Sequence, residues 1–195
     1  MSLSRAGELL FAQTAKINAE LLTMTYGAFV RRVLRDCDDA DLARRQLRVL
    51  GARMGRRLCE EFLAASSTPT SNGGCRNLRE TAQATRAALT MFLSVAVETG
   101  DWSEDSREFS VSVRDNPLSA FTALPDHLAS PKGESCMGAL LAAAIQGAYQ
   151  AVHLETRVTQ TTCSASGDKS DTFRVVFLRH SRENVPEESD SDEDN

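Results

Sequence analysis

From residue 135 to residue 154 the chain carries no formal charge, and that run constrains the architecture more than any other stretch. Its length is that of a helix able to span a bilayer. Alanine dominates it, however, and Gln146, Gln150 and His153 interrupt it, so its tendency to insert into lipid is weak. Leu140, Leu141, Ala144, Ile145 and Ala148 instead describe a helix buried in a globular core.

The segments around that helix carry their own patterns. Residues 15–36 place Leu22, Tyr26, Phe29, Val30 and Val33 at helical spacing, with Arg31, Arg32 and Arg35 on the other side. Gly27 costs this helix about 1 kcal/mol relative to alanine, and a glycine so placed signals close approach by another backbone or by a ligand. Asp38, Asp39 and Asp41 are cap candidates for a second helix over residues 42–65, with an inward stripe of Leu47, Leu50, Met54, Leu58 and Phe62. Beside the stripe, Gly51 and Gly55 leave a shallow groove in which a neighbouring helix can pack. The arginines of this helix, among them Arg44, Arg48, Arg53 and Arg57, rule out a bilayer span and read first as a solvated face. A third helix over residues 78–97 buries Leu78, Ala82, Leu89, Phe92, Leu93 and Ala96.

Strand patterns complete the fold. Phe109, Val111 and Val113 alternate with Ser110 and Ser112, the period of a half-buried strand. Residues 154–162 and 172–178 flank a turn at Ser164-Ala165-Ser166-Gly167-Asp168 and read as a hairpin, with Phe173, Val175 and Phe177 facing in. The fold class is α/β of the α+β kind, with helices packed on a small antiparallel sheet. The expected divisions are a flexible N-terminus over residues 1–14, a single domain over 15–182 and a disordered acidic tail over 183–195.

The tail holds seven of the acidic side chains and no basic one, which takes the rest of the chain from a net −5 to +2. A core so close to neutrality offers no broad cationic field, so nucleic acid is not an expected partner. Ser189 and Ser191 are candidate sites for an acidophilic kinase within a tail whose plainer role is solubility. Five cysteines, Cys37, Cys59, Cys75, Cys136 and Cys163, form neither a disulfide framework nor a paired metal motif, which fits a reducing compartment. No basic segment followed by an apolar run opens the sequence, so a signal peptide is not expected. His127, His153 and His180 lack metal-ligand spacing, so no metal is expected, and nucleotide-binding glycine fingerprints are absent.

Cys75 is the thiol with a distinctive setting. Residues 66–74 are almost all turn formers, whereas Asn77 and Glu80 stand as N-cap and third residue of the next helix, a capping-box spacing. Cys75 thus precedes a helix N-terminus and neighbours Arg76 and Arg79, surroundings that stabilise a thiolate. On spacing alone the plainer reading, a small apolar residue in a loop, outweighs that one.

Four blocks shift the balance. Residues 20–28 (Glu-Leu-Leu-Thr-Met-Thr-Tyr-Gly-Ala), residues 51–58 (Gly-Ala-Arg-Met-Gly-Arg-Arg-Leu), residues 75–81 (Cys-Arg-Asn-Leu-Arg-Glu-Thr), and Asp115-Asn116-Pro117-Leu118 with Leu124-Pro125-Asp126 occur in one order. Together they resemble the Bet-three subunit family of TRAPP, the transport protein particle that tethers vesicles, over roughly residues 16–183. The resemblance implies a Bet-three-like ligand-binding fold and a scaffold subunit without enzymatic activity. It implies a palmitoyl-type thioester on Cys75, with Arg76 and Arg79 near the acyl site and the chain in an apolar channel. No soluble cofactor is implied. The implied partners are other small TRAPP subunits, a second copy when these are absent, and a Rab-type GTPase through the assembled complex. The implied location is cytoplasmic, with peripheral contact at cis-Golgi and endoplasmic reticulum membranes. Gly74 departs from the basic residue often found there in the family. Two other readings stay open, a stand-alone small-ligand sensor and a thiol enzyme based on Cys75, in which His127 could serve as base.

Overall fold

The computed structural model describes residues 3–37, 39–66, 77–120 and 134–181. Its uncharged run becomes α5 (Cys136–Ala151), opened by Ser135, whose hydroxyl accepts the Gly138 N–H at 3.0 Å. Twelve of its residues are buried, so α5 lies in the core and the other elements are arranged around it. Four further helices precede it: α1 (Leu3–Gln13), α2 (Ala19–Asp36), α3 (Ala40–Ala65) and α4 (Leu78–Leu93). The strands are β1 (Val97–Gly100), β2 (Glu108–Val113), β3 (Leu154–Thr162) and β4 (Asp171–His180), in an antiparallel sheet of order β1-β2-β4-β3. This is the expected α+β architecture.

Alternation decides which face of the sheet meets the helices. Phe109, Val111 and Val113 of β2 pair in register with Val175, Phe173 and Asp171 of β4, and all six are buried. The intervening Ser110, Ser112, Thr172 and Arg174 lie on the opposite face. A short 3₁₀ turn (Ser164–Ser166) and Gly167 in the left-handed region close the predicted hairpin between β3 and β4.

The inward face of α3 is set by glycine. Methyl groups built at Gly51 and Gly55 would run into the backbone carbonyls of Leu140 and Ala144, and one at Gly147 into that of Ala52. The two helices thus meet backbone to backbone, as the Gly51 and Gly55 spacing predicts. The same contact turns the stripe: Leu47 and Phe62 are buried, but Leu50 and Met54, expected inside, are exposed. Gly27 differs too, because a methyl there would meet nothing within 4 Å among the described residues. Phe29, also expected inside, is exposed, while Thr23, Tyr26 and Val30 form the buried edge of α2.

The third helix ends earlier than its pattern suggests. Ser94 adopts the left-handed conformation and its N–H returns to the Thr90 carbonyl, so the chain leaves the helix there. Val95 and Val97 are buried around an exposed Ala96, the alternation that leads into β1. Within residues 1–14, expected to be flexible, α1 packs across α4, with Gly7 buried where a methyl would lie 2.6 Å from the Ala87 carbonyl oxygen.

Candidate functional site around the start of α4

Asn77 is the N-cap of α4. Its Oδ1 accepts the Glu80 N–H at 2.9 Å, and its side-chain amide donates to the Glu80 carboxylate at 3.1 Å. The N-cap half of the expected capping box is therefore formed, with the Glu80 carboxylate held by the Asn77 side-chain amide, and it fixes where the helix begins. Arg79 does not float free: its guanidinium lies 4.7 Å over the Trp102 ring and donates to the Ser106 hydroxyl at 3.4 Å. Trp102 in turn stacks on Phe109 at 4.7 Å, tying the first turn of α4 to the β1–β2 connection. Further along, Thr85 shares a 2.7 Å hydrogen bond with Tyr149 of α5, and Ala82 packs into the main core.

Cys75 and Arg76 lie outside the described residues, as do the loop before them, His127, Leu124-Pro125-Asp126 and the acidic tail. Asn77 is the described residue next in sequence to that pair. A thiol there would precede a capped helix whose first backbone N–H groups carry the positive end of the dipole. Two open grooves among the described residues, of about 620 and 370 Å³, include no residue of α4. His153 and His180 stand at the same end of the β3–β4 pair, where Leu154 pairs with His180, and no cluster of metal-binding side chains occurs among the described residues.

The other motif blocks converge through polar contacts that spacing did not reveal. The Thr23 hydroxyl donates to the Pro117 carbonyl, and the Tyr26 hydroxyl donates to that of Met137 at 2.5 Å. Burial pushes the Tyr26 phenol well above its ordinary pKa. Asn116 bonds the Leu118 N–H at 3.1 Å and donates to Asp171 at 2.9 Å. The buried Asp171 carboxylate also accepts from the Ser119 and Ser164 hydroxyls, the Ser164 N–H and the Gln160 amide. Gln160 reaches on to Ser135 at the head of α5. One signal was available in the sequence: Asp171 occupies the inward register of a strand that continues with Phe173 and Val175. Arg48 forms a second tie, with Glu134 at 2.6 Å, Gln146 at 2.8 Å and the Val158 carbonyl at 3.1 Å.

These ties join α2, the loop after β2, the head of α5 and β4, and the blocks that supply them fall within one matched region. Residues 22–178 match the family model described as transport protein particle (TRAPP) component. The chain belongs to the TRAPP component family. It is 34% identical to trafficking protein particle complex subunit 3 of Dictyostelium discoideum over 174 residues, 89% of this chain and 90% of that relative. It is 29% identical to trafficking protein particle complex subunit BET3 of Saccharomyces cerevisiae over 188 residues, 95% of this chain and 94% of the relative. Among solved structures, the TRAPP complex subunit 3 of Naegleria fowleri, covalently bound to palmitic acid, superposes with a TM-score of 0.77 at 33% identity. The match covers 87% of this chain and all of that one. The phenol-responsive sensory domain of the transcription activator PoxR shares the fold alone, at 12% identity and a TM-score of 0.54 over 84% of this chain and 76% of that one.

Proposed function

We propose that this TRAPP family chain is a non-enzymatic scaffold subunit of a vesicle-tethering complex acting between endoplasmic reticulum and Golgi, and that Cys75 carries a palmitoyl-type thioester. The observation that carries the reading is the close match to a TRAPP subunit 3 structure that is itself covalently bound to palmitic acid. The capped start of α4 supports the choice of thiol, because it sets a helix N-terminus two residues beyond Cys75. A Cys75 thiolate attacks the carbonyl of an acyl-CoA, and the CoA thiolate leaves as the new thioester forms. Arg76 and the helix dipole favour the thiolate. Arg79, engaged with Trp102, holds the helix start in place.

In this reading the partners are other small TRAPP subunits, with self-association in their absence, and the assembled complex contributes a composite surface for exchange on a Rab-type GTPase. The protein works on the cytoplasmic side, with peripheral contact at cis-Golgi and endoplasmic reticulum membranes. No helix among the described residues is long and apolar enough to cross a membrane. Intact mass of the protein from its native cell, before and after hydroxylamine, tests the acyl group. A palmitoyl increment removed by hydroxylamine and missing in Cys75→Ser is expected, and an unmodified mass in the native complex would refute it. Affinity capture should return small TRAPP subunits in stoichiometric amounts. The fold shared with a phenol-responsive domain keeps a ligand-sensor reading as the alternative, which a freely exchanging ligand in the isolated chain would favour.

A further inference from the structure

The larger groove lies where α3, α5, β3 and the end of β4 meet, remote in sequence from Cys75, and is independent of the reading above. Its free hydrogen-bonding capacity leans toward donation. The Gln146 Oε1 already accepts from Arg48 at 2.8 Å and from the Val158 N–H at 3.4 Å. The Gln150 Oε1 accepts from Arg56 at 3.3 Å. The Glu155 carboxylate holds Arg179 through both oxygens, at 2.6 and 3.2 Å. The amide and carboxylate oxygens of the wall thus each hold a donor already. What remains is rich in donors: the amide N–H groups of Gln146 and Gln150, the rest of the Arg56 guanidinium, and the hydroxyls of Ser181 and Thr156, which can donate as well as accept.

Thr156 is the decisive member. It lines the groove, is only 3% exposed, and its hydroxyl is the buried side-chain oxygen without a hydrogen-bond partner among the described residues. A buried hydroxyl left in that state is destabilising, and a bound water or a ligand atom can supply its partner. Donors from two helices and a strand, one of them a guanidinium, suit a tetrahedral anion that accepts along several directions. A volume of about 620 Å³ leaves room for an organic group attached to that anion.

We propose that this groove binds a phosphomonoester, with Arg56, Gln146, Gln150 and Thr156 as its hydrogen-bond donors. The phosphate belongs to either a lipid headgroup or a soluble metabolite, and the two sources separate experimentally. The full chain, labelled with ¹⁵N, is titrated with inorganic phosphate while the side-chain amide signals of Gln146 and Gln150 are followed. Saturable shifts of both amides are expected, weakened about tenfold in Arg56→Gln by loss of a charge-assisted contact. Sedimentation with phosphatidylcholine vesicles, with and without phosphatidic acid, supplies the second arm. Capture that depends on both phosphatidic acid and Arg56 assigns a lipid source, and phosphate binding without such capture assigns a soluble one. Thr156→Val should weaken binding yet raise the melting temperature of the unliganded chain, whereas a purely structural hydroxyl would lower it on removal. Shifts that persist unchanged in Arg56→Gln, or failure of both the phosphate and the vesicle arms, overturn the proposal.

Discussion

Glycine substitutions on α2 and α3 should act with opposite signs, because the two positions differ only in what stands next to the missing methyl. A methyl at Gly55 would sit 2.7 Å from the Ala144 carbonyl carbon and 2.8 Å from its Cα, whereas ordinary contact begins at 3.4 Å. The Ala144 carbonyl oxygen stands closer still, so the helices would have to part by well over 0.7 Å along their closest line. Because α5 lies in the core, that retreat presses on the sheet behind it, and overpacking of this kind costs about 1–3 kcal/mol, occasionally more. The gain in helix propensity from glycine to alanine returns about 1 kcal/mol. Since the obstruction is backbone and cannot rotate away, Gly55→Ala should fall at the upper end, with a net loss of about 2 kcal/mol. At about 2–4 °C per kcal/mol for a chain of this size, the melting temperature drops by roughly 4–8 °C. Gly27→Ala meets no such obstruction, so the propensity gain stands alone and the melting temperature rises by about 2–4 °C. Thermal unfolding followed by circular dichroism on the purified chain measures both. If Gly55→Ala melts at or above the wild-type temperature, the backbone-to-backbone account of the α3–α5 seam is wrong.

Replacing Asp171 by alanine should destabilise the chain by about 3 kcal/mol or more, because five donors lose their acceptor in a buried site; a chemical-denaturation midpoint close to wild type would contradict this. Asn77→Ala removes the α4 cap and should cost about 1 kcal/mol, with faster amide exchange confined to the first turn of α4. The Tyr26 phenol is held above its ordinary value of 10.0, so it is protonated in the folded chain when the unfolded chain begins to release that proton. Stability therefore falls as pH rises past about 10, and Tyr26→Phe should flatten that part of the curve in denaturant titrations at several pH values.

Periodicity revealed the elements that are long or strongly alternating. The uncharged run, the Phe109 to Val113 alternation and the β3–β4 hairpin all follow from patterns that burial imposes directly. What it missed depends on partners. The pattern of large apolar side chains draws the α3 stripe through Leu50 and Met54, yet the deepest contact is made where α3 has no side chain at all. The end of α4 was hidden by the continuing apolar run through Leu93, Val95 and Val97, since only the left-handed backbone of Ser94 distinguishes helix from strand there. Of the candidate site, the cap at Asn77 was legible because it is local in sequence. The contact of Arg79 with Trp102 was not, since it joins residues brought together by the β1–β2 connection.

The tie made by Arg48 has a consequence for how copies of this chain can stack. Both backbone groups of Val158, on the outermost strand β3, are engaged by side chains, the carbonyl by Arg48 and the N–H by Gln146. A foreign strand laid along that rim would have to displace a guanidinium already anchored to Glu134. The other rim, β1, is only four residues long and carries no strand on its outer side among the described residues. Endless strand-on-strand growth needs one free rim to offer and another to receive. With one of the two closed at its centre, this sheet can extend by one addition and then stops.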